Sequence, residues 1–207
     1  DAVGGRTMHR ARMWQLCEYA LGRAPPLNPL CFSNPACAWR AYGWQPWEGQ
    51  QAEQAGASLR PLSTWLPEAV REGVVGFADV EPGPVLDVEP PGAATRLHRA
   101  ASHVQVALLS GEKEFLLYRP EDGAHLQPGV GTCDPDQSPC DPADVRAPRP
   151  SAKPLSVVLC AGDVLLVPAG WWCWSQARAP AVSLRRGFSD ARIAEQVARR
   201  REARLRE

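Results

Sequence analysis

Lysine, isoleucine and asparagine are nearly absent from this chain. Of its 23 basic residues only Lys113 and Lys153 are lysines, Ile193 is the sole isoleucine, and Asn28 and Asn34 are the only asparagines. These types share AT-rich codons, so a GC-rich genome accounts for their scarcity, and abundant arginine is not in itself a sign of a nucleic-acid ligand. An excess of either charge is also lacking: Lys+Arg 23 balances Asp+Glu 23. That balance excludes a generally basic nucleic-acid binder and an acidic tail protein. No apolar run approaches the ~20 residues of a membrane-spanning helix. The longest, Val104–Leu109 and Val164–Pro168, are strand-sized. No secretory leader is visible, and the chain opens at Asp1 without an initiator methionine, as a processed or partial product does. The expected setting is soluble, cytoplasmic or organellar. CxxC motifs and close Cys/His clusters are missing among the 7 cysteines, which argues against structural zinc. Cys31 with Cys37 and Cys133 with Cys140 lie in Pro-rich loops. Each pair suits a small disulfide loop in an oxidising compartment or free thiols in a reducing one.

What is present is an ordinary globular composition: 207 residues, 44% hydrophobic and 22% charged, enough for one domain with appendages. Apolar residues from Met13 to Leu21 recur at helical spacing, and Gly22 before Pro25-Pro26 is a natural stop. Asn28–Ser33 reads as a short strand and Leu62–Arg71 as a short helix. Asn34–Gly56 is irregular, but its Trp39, Tyr42, Trp44 and Trp47 suit a cover over one end of the core. Short β-prone runs follow at Val85–Glu89, Arg96–His98, Val104–Leu109 and Glu114–Tyr118. More come at Ser156–Cys160, Val164–Val167, Trp171–Trp174 and Ala181–Arg185. With Pro 21 and Gly 17 to turn the chain, this spacing predicts an antiparallel sandwich or small barrel. Between the two sets, Glu121–Ser156 is a Pro-, Asp- and Gly-rich insertion with little periodicity. Ser189 is the expected N-cap of a last helix, with Asp190 in its first turn. The arginine-rich end of that helix reads as a solvated face or as a contact for an acidic partner or RNA.

Two segments resemble a known family. One is Gly92–Ala100, with Thr95 three before His98, continuing through Ser110-Gly111-Glu112-Lys113 to Asp122. The other is Ala161–Cys173, which carries G-D-x-L-x-x-P-x-G-W-W from Gly162 to Trp172. Together they resemble the Jumonji-C, cupin-like Fe(II)/2-oxoglutarate oxygenases over about Pro84 to Phe188. The resemblance implies a mainly β protein: a double-stranded β-helix (cupin or jelly-roll barrel) with flanking N- and C-terminal helices. The implied division is an aromatic-rich N-terminal segment at 1–83 packed on the barrel, the barrel at 84–188 with its insertion at 121–156, and a helix at 189–207.

In that family two histidines and a carboxylate hold iron on one face, leaving three positions for 2-oxoglutarate and oxygen. The first histidine matches His98. The carboxylate position holds Ala100, and the second histidine position, after the Trp171-Trp172 pair, holds Cys173. A methyl group cannot ligate a metal, whereas a thiolate can, although it is soft and redox-sensitive. His103 and His125 are the nearby substitutes, His103 being otherwise a hydrogen-bonded histidine at the barrel mouth. The co-substrate side matches better. Lys113 stands where the family pairs a lysine with the distal carboxylate of 2-oxoglutarate, and Thr95 stands at the assisting hydroxyl. The alternative for Lys113 is an internal Asp or Glu partner, or an outward orientation, because a lone buried charge is costly. One of the two tryptophans is expected to face the barrel, and Asp163 to be turn chemistry.

These positions predict a catalytically inactive pseudo-oxygenase acting as a structural or protein-interaction subunit of a larger assembly. No metal is expected at His98, Ala100 and Cys173, and no cofactor. The alternatives are an unconventional protein hydroxylase using Fe(II) and 2-oxoglutarate, or a metal-free dicarboxylate-binding module built on Lys113 and Thr95. Expected partners are other proteins; a nucleic acid is expected only if the arginine-rich last helix contacts one.

Overall fold

Along His103–Ser110 the residues Val104, Val106 and Leu108 alternate with others. Along Glu112–Tyr118 the alternating set is Lys113, Phe115 and Leu117. A period of two places each set on one face of a strand. The computed structural model, which describes residues 13–23, 41–44, 78–80, 84–127, 135–142 and 151–205, turns these runs into a strand series. The strands are β1 (Ala41–Trp44), β2 (Ala78–Asp79), β3 (Val85–Glu89), β4 (Ala94–Arg99), β5 (His103–Ser110), β6 (Glu112–Tyr118), β7 (Leu155–Cys160), β8 (Val164–Val167), β9 (Trp172–Ala177) and β10 (Ala181–Ser189). The predicted strand at Asn28–Ser33, the helix at Leu62–Arg71 and the Cys31/Cys37 pair lie outside the described residues.

The strands form a six-stranded sheet, β1-β3-β10-β5-β8 with β2 also on β10, and a four-stranded sheet, β4-β9-β6-β7. All pairings are antiparallel. The innermost pair is β6 with β7; β5 with β8, β4 with β9 and β3 with β10 enclose it in turn, alternating between sheets. A long hairpin rolled in this way is the double-stranded β-helix that the sequence predicts, with flanking helices α1 (Met13–Ala20) and α2 (Ala194–Leu205). At the β5–β6 turn Gly111 has φ +87, and a Cβ there would collide with the Pro180 carbonyl oxygen. Only glycine serves at that position.

Helix α1 ends as its sequence suggests. Gly22 takes φ +66, Arg23 N–H donates to Glu18 O and Gly22 N–H to Tyr19 O, the pattern of a Schellman stop. Leu16 and Ala20 pack on Val88, covering the outer face of β3. At the other end the cap differs from expectation. The Asp190 carboxylate, not Ser189, accepts the N–H groups of Arg192 and Ile193, and its carbonyl accepts from Ala194 N–H. The capping side chain therefore lies one residue later than Ser189, and a turn at 191–193 delays the regular helix to Ala194. Ala41–Trp44, read as irregular, is a strand because β3 offers it an edge, with Ala41 opposite Val88 and Trp44 opposite Leu86.

The insertion is more ordered than its periodicity suggests. Pro120–Leu126 forms a 3₁₀ helix, and Leu126 and Cys140 bury themselves against Leu97, Tyr118, Trp172 and Trp174 on the outside of the smaller sheet. Asp136–Ser138 pairs along the open edge of β4, through Arg99 N–H to Asp136 O at 2.7 Å and Ser138 N–H to Leu97 O at 3.0 Å. The Arg99 guanidinium clasps the Asp136 carboxylate at 2.5 Å, and Trp174 Nε1 donates to Asp141 at 3.1 Å. Cys140 is a free thiol, and Cys133, the other member of the candidate pair, lies outside the described residues.

Candidate functional site

The barrel interior is built from alternate residues of facing strands. On β9 the tryptophans 172 and 174 point outward under the insertion, which turns Cys173 and Ser175 inward. On β4 a plain period of two would set Thr95 and His98 on opposite faces. A bulge prevents this. Thr95 faces Ser175 and His98 faces Cys173, so the stretch from 95 to 98 on β4 is matched by the shorter stretch from 173 to 175 on β9. The extra residue returns His98 to the inside. Ala100 joins the inner core with Val106, Phe115 and Val167. Trp171, on the turn before β9, packs against that core from its edge while Trp172 is outside, so the tryptophan nearer the barrel interior is Trp171.

These residues line a cavity of about 50 Å³, together with Asp87, Lys113 and Arg185. Thus every position singled out by the sequence motifs, Thr95, His98, Ala100, Lys113 and Cys173, meets at one place. The substitutes do not. The Nδ1 of His103 accepts Ala169 N–H at 3.1 Å, its Nε2 lies 3.6 Å from Asp190, and its ring packs on Phe188 at 5.1 Å. His125 bonds Ser151 at 3.1 Å. His103 is thus the hydrogen-bonded histidine foreseen as its alternative. Asp163 accepts Cys160 N–H at 2.8 Å and is turn chemistry, as expected.

Three groups that the motifs did not single out complete the interior. Asp87 and Glu89 lie on β3, and both are buried; Arg185 lies on β10. Lys113 Nζ lies 2.5 Å from Glu89 Oε2, with side chains 4% and 0% exposed. Arg185 Nε lies 3.4 Å from Asp87 Oδ2. The alternation in Val85-Leu-Asp-Val-Glu was visible, but β3 is covered on both faces, so alternation alone did not say which face the carboxylates take. The signal that could have found them was Lys113 itself, which required an internal anion.

The chemistry of the cavity follows from these pairings. Each cation is matched by a carboxylate, so the lining carries no net charge from them. Thr95 and Ser175 hydroxyls bond each other at 3.0 Å. His98 Nδ1–H donates to Arg96 O at 2.8 Å, which in a neutral ring makes Nε2 the lone-pair nitrogen, the tautomer a metal-ligating histidine adopts. Its neighbours do not follow suit. Ala100 has no donor atom. Burial pushes the Cys173 thiol up to about 12, outweighing the lowering influence of Lys113 and Arg185, so in the metal-free cavity it stays protonated at neutral pH. Among the described residues no group of three or more His, Cys, Asp or Glu is placed to hold a metal ion. The volume is also small beside the roughly 300–1,000 Å³ of a typical small-molecule pocket.

Among the described residues no helix is long and apolar enough to cross a membrane. No curated protein matches the chain. Among solved structures, the oxalate decarboxylase of Lactobacillus farciminis in its formate complex is 16% identical, with a TM-score of 0.33. The likeness covers 52% of this chain and 23% of that one, so the present chain spans under a quarter of the decarboxylase. A family model described as a cupin-like domain matches residues 71–186, more than half of the chain and nearly the whole barrel; the protein belongs to the cupin-like domain family.

Proposed function

We propose that this protein is a Jumonji-C-like pseudo-oxygenase, a cupin-like barrel without metal chemistry that serves as an interaction subunit of a protein assembly. The observation that carries the reading is the donor set: one imidazole, His98, faces a protonated thiol at Cys173 and a methyl group at Ala100. A facial iron site needs three donors on one side, and their number and geometry set affinity. An interaction role draws support from the surface. Leu109, Leu155, Val158, Val164 and Leu166 are large apolar residues exposed on β5, β7 and β8, a feature of protein-contacting faces. The formally neutral chain suits protein partners better than nucleic acid.

Metal analysis of the purified protein, together with an assay for succinate formation from 2-oxoglutarate, tests the reading. Substoichiometric iron and no succinate are expected. Iron at one equivalent per chain, coupled to succinate release, would replace the scaffold reading with a hydroxylase. Because His98, residue 100 and residue 173 line one cavity, the double variant A100D/C173H is expected to gain Fe(II) or Co(II) binding. The visible absorption of bound cobalt checks this.

A further inference from the structure

Within the barrel, an ammonium and a carboxylate with no role in the reading above face each other across the two sheets. Lys113 stands on β6 of the four-stranded sheet and Glu89 on β3 of the six-stranded one. Their Nζ and Oε2 are 2.5 Å apart, and both side chains are almost wholly out of water. Lys113 also borders the cavity that holds Thr95, His98 and Ser175. A buried ammonium requires an anion, because desolvation of the unpaired charge is not otherwise repaid. Here the anion comes from the chain.

We infer that Lys113 is a carboxylate-binding site occupied by the protein's own Glu89. The native barrel is thereby closed to 2-oxoglutarate and other free carboxylates, and shortening residue 89 opens it to acetate. The inference rests on the metal-free reading of this cavity and specifies what its lysine binds instead. Glu89→Ala removes Cγ, Cδ and both Oε atoms, which together are the heavy-atom content of acetate. The vacated space adjoins the cavity through Lys113, which touches Glu89 and lines the cavity. The second pair, Arg185 with Asp87, stays balanced in the variant, so one negative charge is missing and a monocarboxylate is the matching class.

Thermal melts of the native protein and Glu89→Ala, in sodium acetate and in sodium chloride at equal ionic strength, test this. The variant is expected to melt ~3 °C higher in acetate, as binding to the folded state alone produces, while the native protein shows no difference. Adding Lys113→Met to the variant is expected to abolish the difference. Equal melting of folded Glu89→Ala in both salts overturns the inference, as does an acetate effect that survives Lys113→Met. Should Glu89→Ala fold in neither salt, the native chain decides. Titration with 2-oxoglutarate in the presence of a chelator is expected to give no binding heat; saturable binding lost in Lys113→Met overturns the inference. Iron binding by the native chain would count against the metal-free reading, whereas carboxylate binding under chelation counts against this inference alone.

Discussion

At position 173 a thiol stands across the strand pair from His98, and burial pushes its pKa up to about 12. The raised value keeps the proton on at neutral pH. Iodoacetamide is therefore expected to label Cys160, exposed at the end of β7, and to leave Cys173 unmodified in the native state up to about pH 10. Peptide mass spectrometry across a pH series reads this out, and labelling of Cys173 at pH 8 would contradict the buried-thiol geometry. The positions of His98, Ala100, Cys173, Lys113 and Thr95 were legible because they lie at fixed offsets within short motifs. Asp87, Glu89 and Arg185 were not, because no local pattern tells a strand which of two buried faces looks into the barrel. Lys113 linked the two levels: an internal Asp or Glu partner was one of the alternatives its side chain offered, and the structure supplies Glu89.

Among the elements, the insertion departs most from its local pattern. Its ordered parts are held by tertiary contacts: Leu126 and Cys140 under the tryptophans, Ser138 Oγ donating to Leu126 O, and the Arg99–Asp136 clasp on the edge of β4. Leu126→Ala, at a fully buried site, is expected to cost ~2–4 kcal/mol through lost burial and the cavity left behind; urea denaturation measures it. The N-cap of α2 contributes less. Burial pushes the Asp190 carboxyl up, but hydrogen bonds from Arg192 and Ile193 N–H hold it below the usual carboxylate range. Its stabilisation is thus full above about pH 4, the unfolded value, and is lost as pH falls through the lower folded value. Asp190→Ala is expected to cost ~1 kcal/mol at neutral pH and to flatten the acid limb of a stability-versus-pH curve. The stop of α1 at Gly22 and, to within a residue, the cap of α2 were legible, since caps are local chemistry; the start of the regular helix at Ala194 was not. The short strand β1 was not, because it exists only by pairing with β3.

Across the whole molecule, the buried Glu89–Lys113 pair ties one sheet to the other. Removing one partner strands the other charge, so Lys113→Met alone is expected to cost about 3–5 kcal/mol. The double variant Lys113→Met with Glu89→Gln is expected to recover most of that loss, the coupling expected of contacting groups. Chemical denaturation of the two singles and the double reads the cycle, and additive costs would mean that the ion pair is not the tie between the sheets. From its sequence alone the chain determined most of its strand series, its turns, the stop of α1 and the spacing of the motif residues, because strand alternation, glycine stereochemistry and motif offsets act over a few residues. The tertiary structure alone decided which carboxylate answers Lys113, how a bulge returns His98 to the interior, and what covers Trp172 and Trp174. Those outcomes depend on residues far apart in the chain meeting across two sheets, and no local periodicity encodes that meeting.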